Sequence, residues 1–131
     1  NNEIVIKQPY NVKNCHICIG NHGEINNCKI YIDEMTSMGG VVINCFQHNS
    51  VLNIGKDCTF SERIEIRTGE YPHLIFDKVT GEYLDKNSNI KIGNHVWIGE
   101  GVTILKNASV ADDNIVGCYS VVTKYFNEIF G

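Results

Sequence analysis

Three places in the chain hold residue types at spacings that support chemistry. The first is EYPHLIFDKVTGEYLDKNSN, Glu70 to Asn89, where His73 stands between two carboxylates, Glu70 and Asp77. An imidazole, with an unperturbed pKa of about 6.5, can take the proton of an attacking hydroxyl at neutral pH when a carboxylate orients its other nitrogen. Glu70 is the favoured orienter. The second place is HVWIGE, where the one tryptophan of the chain, Trp97, follows His95 closely and precedes Glu100. The third is CHIC, Cys15 to Cys18, with His16 between the thiols. A structural zinc site needs a second ligand pair at comparable spacing. The sequence has none, so no metal is expected.

The elements that must carry these residues follow from a beat of six. Aliphatic residues recur at Ile92, Ile98, Ile104, Val110, Val116 and Val122. Neither a helix, with its period of about 3.6, nor a flat strand, with a period of about 2, produces that spacing. Each unit has a small or β-branched residue at its fifth position: Val96, Val102, Ala108, Asn114 and Ser120. Alternation along a short strand turns Val96 and Ile98 to one side and Trp97 to the other, and sends Thr103, Ser109, Ile115 and Val121 outward. Short strands and Gly or Asp/Asn turns, repeated without a helical segment, coil a chain into a solenoid with inward columns. Three units make a turn of about eighteen residues, triangular in section. The period leaves the handedness open. An outward Trp97 beside outward Ile115 and Val121 calls for a partner surface or a ligand.

Upstream the beat returns in Ile54, Phe60 and Ile66, with Cys58 and Ile64 as further inward residues. Earlier, Ile19 and Ile25 keep it, while Ile30, Ile32, Val42 and Ile43 blur it, so irregular N-terminal coils are expected, with bends at NHGE and SMGG. Between Ile66 and Ile92 the register is lost for about twenty residues. A loop at about 70–89 leaves the solenoid there, and long loops in compact repeat folds are usually functional. It is the loop that carries His73.

At 131 residues with a net charge of −4, the chain reads as a single domain, 1–131, with no basic stripe for nucleic acid and no aliphatic run long enough for a bilayer. The six cysteines are read as buried free thiols of a soluble cytoplasmic protein. The chain starts at Asn1 without a methionine, which leads us to expect that the natural N-terminus lies further upstream.

The segment RTGEYPHLIFDKVTGEYLDKNSNIKIGNHVWIGEGVTILKNASVADDNIVGCYSVVTK resembles the hexapeptide-repeat acyltransferases. Within them it is most similar to the sugar O-acetyltransferases of bacterial capsule, sialic-acid and lipopolysaccharide decoration. The likeness covers roughly Ile54 to Lys124 and rests on the His-bearing loop, HVWIG and the closing SVVTK, in that order. It implies an all-β, single-stranded, left-handed parallel β-helix. It also implies a homotrimer with active sites between subunits, and acetyl-CoA as the cosubstrate lying in the groove between two prisms.

Carried over residue by residue, His73 matches the loop histidine that serves as general base. Trp97 matches the tryptophan whose backbone N–H faces the thioester carbonyl and the coenzyme. Cys118, Thr123 and Lys124 match positions along the coenzyme groove, Gly117 adjoins them, and Glu100 lies in the same file one turn before Cys118. The sequence departs from the family at Cys118 and Tyr119, where smaller residues and glycine are usual. It also ends at NEIFG, short of the usual AGNPA, so a C-terminal truncation is expected.

The implied reaction moves an acetyl group directly to a hydroxyl of a sugar or surface-glycan precursor. The Trp97 N–H would meet the oxyanion, Lys124 would pair with a coenzyme phosphate, and no covalent nucleophile is required. Two other readings keep the prism. A γ-carbonic-anhydrase-like metal enzyme would use His73 and His95, but no histidine follows His95 to complete three ligands. A non-catalytic binding module would use the outward faces, whose residues are mixed rather than the regular Thr ranks of an ice binder.

Overall fold

A computed structural model describes residues 1–20, 23–123, 125 and 126. The chain winds as successive coils of three short strands. The first coil holds β1 (Glu3–Ile6), β2 (Asn11–Val12) and β3 (His16–Ile19), and the second β4 (Cys28–Ile32), β5 (Ser37–Met38) and β6 (Val41–Cys45). The third holds β7 (Ser50–Ile54), β8 (Thr59–Phe60) and β9 (Ile64–Arg67), and the fourth β10 (Ser88–Ile92), β11 (Trp97–Ile98) and β12 (Thr103–Ile104). The fifth holds β13 (Ser109–Val110), β14 (Ile115–Val116) and β15 (Val121–Val122), and β16 (Tyr125–Phe126) begins the next turn.

Strands stack into three parallel sheets, the faces of a triangular prism. The first face runs β1-β4-β7-β10-β13-β16, the second β2-β5-β8-β11-β14, and the third β3-β6-β9-β12-β15. The first corner joins the first face to the second, the second corner the second to the third, and the third corner leads from the third face into the next coil. No helix occurs among the described residues, and none therefore is long and apolar enough to cross a membrane.

Alternation sets what is buried. In each two-residue strand of the fourth and fifth coils, such as Trp97–Ile98, the first residue faces out and the second is buried. Ile92, Ile98, Ile104 and Val110 are fully enclosed, with Val96, Val102 and Ala108 stacked beside them. Cys15 and Ile17 line the core from the first coil, and Cys18 turns the other way. The thiols are free, as read, but only Cys28, Cys45 and Cys58 are buried. Cys15 and Cys18 are half-buried, and Cys118 is exposed at the second corner.

Corners turn through left-handed backbone, mostly at Asn and Asp, which tolerate positive φ better than other side chains. Asp57, His95 and Asp113 stack at the first corner with φ of 52°, 53° and 59°, and Asn27, Asn49 and Asn107 stack at the third with 61°, 56° and 62°.

Register locates every irregularity. Regular partners lie eighteen positions apart, as Thr103 with Val121, whereas Glu65 pairs with Thr103, thirty-eight positions on. The difference is the twenty-residue loop. The N-terminal strands pair in register too, Ile6 with Ile32 and Ile32 with Ile54, and the irregularity of these coils lies in their length, not in their strands. Their beat is blurred because the third corner is long in these coils as well, spanning Ile17 to Ile32 and Ile43 to Ile54 where Ile104 to Val110 is the regular step. Of the SMGG bend, Ser37 and Met38 are strand, and Gly39 and Gly40 make the second corner. In NHGE, Asn21 and His22 lie outside the described residues.

Candidate active site

The loop that carries His73 leaves the third corner between β9 and β10 and is pinned at both stems. On the return stem, Gln47 donates to the Asp85 carbonyl and Lys106 pairs with the Asp85 carboxylate at 2.7 Å. At the tip, Phe76 and Tyr83 form an antiparallel bridge with rings 5.5 Å apart. The Asp77 carboxylate accepts the N–H groups of Val79 and Thr80 at 2.8 and 2.7 Å. Those bonds hold its carboxyl below the usual range and commit Asp77 to the turn.

On the outgoing stem, the Arg67 guanidinium bridges Glu65 and Glu70 at 3.1 Å each, over the Phe46 ring. Asn44 donates to the same Glu65 oxygen at 2.9 Å. The His73 N–H donates to the Glu70 carbonyl at 2.8 Å, closing a tight turn with Tyr71 and Pro72 inside it. Glu70 therefore holds His73 through its backbone, and its carboxylate goes to Arg67 rather than to the imidazole. The charge-assisted pair with a guanidinium three residues away takes up that carboxylate. The His73 side chain is exposed and makes no hydrogen bond among the described residues.

Sequence reasoning missed His48. It is half-buried at the same corner one coil earlier, its Nδ1 accepts the Asn26 N–H at 3.0 Å, and its ring meets Tyr71 edge-on at 6.0 Å. Its signal was the long second-coil corner, which the blurred N-terminal register hid.

Trp97 stands on the second face, 51 % exposed, between Thr59 and Ile115. Its indole N–H reaches the Ser61 hydroxyl at 3.3 Å. Its backbone N–H donates to the Asn114 carbonyl at 3.0 Å. That corrects the expected oxyanion role, because a strand N–H inside a parallel ladder is already taken by the next coil. Beside it lies a cleft of about 300 Å³ lined by Asp57, Thr59, His95, Asp113 and Ile115. His95 bonds Asp113 at 2.8 Å, and this hydrogen bond and charge, with a smaller contribution from Asp57, raise the imidazole above its ordinary value.

Glu100, Gly117 and Cys118 come together at the second corner. Glu100 pairs with Arg63, and its carbonyl accepts the Tyr119 N–H at 2.7 Å. Tyr119, at φ 59° and 68 % exposed, lays its ring over Gly101. A Cβ on Gly101 would stand 2.3 Å from that ring, at a φ of 71°. Thr123 is exposed at the third corner, apart from this group. Lys124 lies outside the described residues. Among the described residues no group of three or more His, Cys, Asp and Glu side chains is arranged to hold a metal.

Within the single chain these groups are separate. In a triangular section the third corner, which holds His73, is opposite the second face, which holds Trp97.

Residues 89–124 match the bacterial transferase hexapeptide (six repeats) family. The fold is the left-handed parallel β-helix of the hexapeptide-repeat sugar O-acetyltransferases. The chain is similar to a polysialic acid O-acetyltransferase of Neisseria meningitidis, 37% identical over 81 residues, which covers 62% of this chain and 37% of that protein. The solved polysialic acid O-acetyltransferase OatWY superposes with a TM-score of 0.64 at 27% identity, covering 97% of this chain and 78% of that one. The polySia-specific acetyltransferase NeuO shares the fold, with a TM-score of 0.62 at 21% identity over 95% of this chain and 70% of that one. The chain spans 37% and 39% of the length of the curated relatives it matches.

Proposed function

We propose that this β-helix is the catalytic body of an acetyl-CoA-dependent O-acetyltransferase that acts on a hydroxyl of a sugar or glycan. It works as a homotrimer in which the third corner of one protomer meets the second face of the next. The observation that carries the reading is the His73 loop, thrown out at one corner of a solenoid that superposes along 97% of its length on an O-acetyltransferase. Two exposed apolar surfaces favour the trimer. One is the loop ledge of Leu74, Ile75, Phe76 and Leu84, with Val79 92 % exposed at the tip, and the other is Trp97 with Ile115.

In the reaction, the acceptor hydroxyl oxygen attacks the thioester carbonyl as His73 takes its proton. The C–O bond forms, the tetrahedral intermediate collapses with cleavage of the C–S bond, and His73 returns the proton to the departing thiolate. Trp97 contributes its indole as an apolar wall that keeps water from the thioester. Glu100, Gly117 and Cys118 at the second corner line the coenzyme groove. The need for acetyl-CoA and the free thiols both favour a cytoplasmic setting.

Thiol release from acetyl-CoA, measured over a panel of sugars and glycans, tests the reading. The wild type should turn over at least one acceptor. His73→Ala should lose roughly 100-fold or more in kcat while binding acetyl-CoA as before. Wild-type turnover by His73→Ala would remove the proposed base.

A further inference from the structure

The third corner stacks short segments of successive coils, and their contacts converge on the residues just before the loop histidine. His48, from the second coil, is held on one side by the first coil, where its Nδ1 accepts the Asn26 N–H at 3.0 Å. A ring nitrogen that accepts an N–H carries a lone pair, so the proton of this imidazole sits on Nε2. On the other side its ring meets the Tyr71 ring at 6.0 Å and 77°, the edge-to-face geometry that aromatic quadrupoles favour. Tyr71 packs against the core, and its phenol oxygen lies against Gly23 of the first coil, 3.6 Å from where a Cβ there would stand.

Tyr71 is also a central residue of the turn closed by the His73 N–H on the Glu70 carbonyl. That turn has two tethers. One is the Arg67–Glu70 ion pair, whose side chains are about one third exposed and which therefore holds weakly in water. The other is Tyr71, which sits against the core and Gly23 and meets the ring of His48 on its remaining side. We propose that His48 is a positioning residue: locked by Asn26, it fixes Tyr71 and so the turn that presents His73. The inference rests on the acetyl-transfer reading for its catalytic consequence, but not for its structural one.

A double-mutant cycle separates action through Tyr71 from independent effects. His48→Ala and Tyr71→Ala should each lower kcat roughly tenfold or more, as a displaced catalytic group does, with the KM for acetyl-CoA unchanged. The double variant should be no slower than Tyr71→Ala. His48→Asn, which keeps an acceptor for the Asn26 N–H but lacks the ring, should keep the melting temperature and still lose kcat. Amide hydrogen exchange reads the same tether without any turnover: in His48→Ala the His73 amide should exchange faster while the Trp97 amide, deep in the ladder, stays protected.

Multiplicative losses in the double variant would overturn the proposal, as would an unchanged His73 amide or a raised KM with kcat intact. If the wild type releases no thiol with any acceptor, the enzymatic reading fails and the exchange result alone decides the role of His48.

Discussion

His95 illustrates how one residue's partners settle its charge. Its bond to Asp113 favours the protonated ring, and both side chains are exposed. A folded-state value above the unfolded one means that the pair's contribution to stability is fully present below about pH 6.5 and is lost as pH rises through the raised value. A proton NMR titration of the His95 ring should find its midpoint above that of a model histidine. Asp113→Asn should bring it back down, and an unshifted midpoint in the wild type would show that the pair does not form in solution. At this scale His73 was legible in sequence through its loop, but its surroundings were not. The competition for Glu70 is decided by Arg67, whose position depends on which residues of β9 face outward. The taken N–H of Trp97 was equally hidden, since the partner carbonyl of Asn114 lies one coil away.

Among the elements, the strands were far easier to read than the corners. A two-residue strand with one buried side chain repeats strictly, so Ile98, Ile104 and Val110 announce themselves. A corner tolerates any residue that accepts positive φ, and its length is free where nothing stacks against it. The second corner tests what such a turn demands. Gly101→Ala should lower stability by about 1–2 kcal/mol, mostly through backbone strain, because the exposed Tyr119 ring can swing away from the new Cβ. Tyr119→Gly, which relieves a bulky side chain at φ 59°, should raise stability by about 1 kcal/mol. Urea denaturation midpoints at constant slope would measure both. A stabilised Gly101→Ala would mean that the corner does not need the left-handed conformation.

For the whole molecule, the proposed reaction, which uses both His73 and Trp97, needs a second copy, because the two stand apart on one prism. Sedimentation should report a trimer, and Ile115→Glu, which sets a charge on the apolar second face, should shift it to monomer with loss of turnover. A monomeric wild type with full activity would end the shared-site reading. The handedness lay beyond a period of six, which is the same for a coil of either hand.

All the surplus length of this chain falls along a single edge of the prism, while the other two edges keep a step of five or six residues in every coil. Rungs above and below constrain those two edges like the sides of a ladder. The remaining edge behaves as an open margin where segments can be grafted, shortened or exchanged without disturbing the rungs. Length can therefore be added or removed along that edge while the rungs stay in register, provided that the segment bearing His73 keeps its anchors at His48 and Lys106.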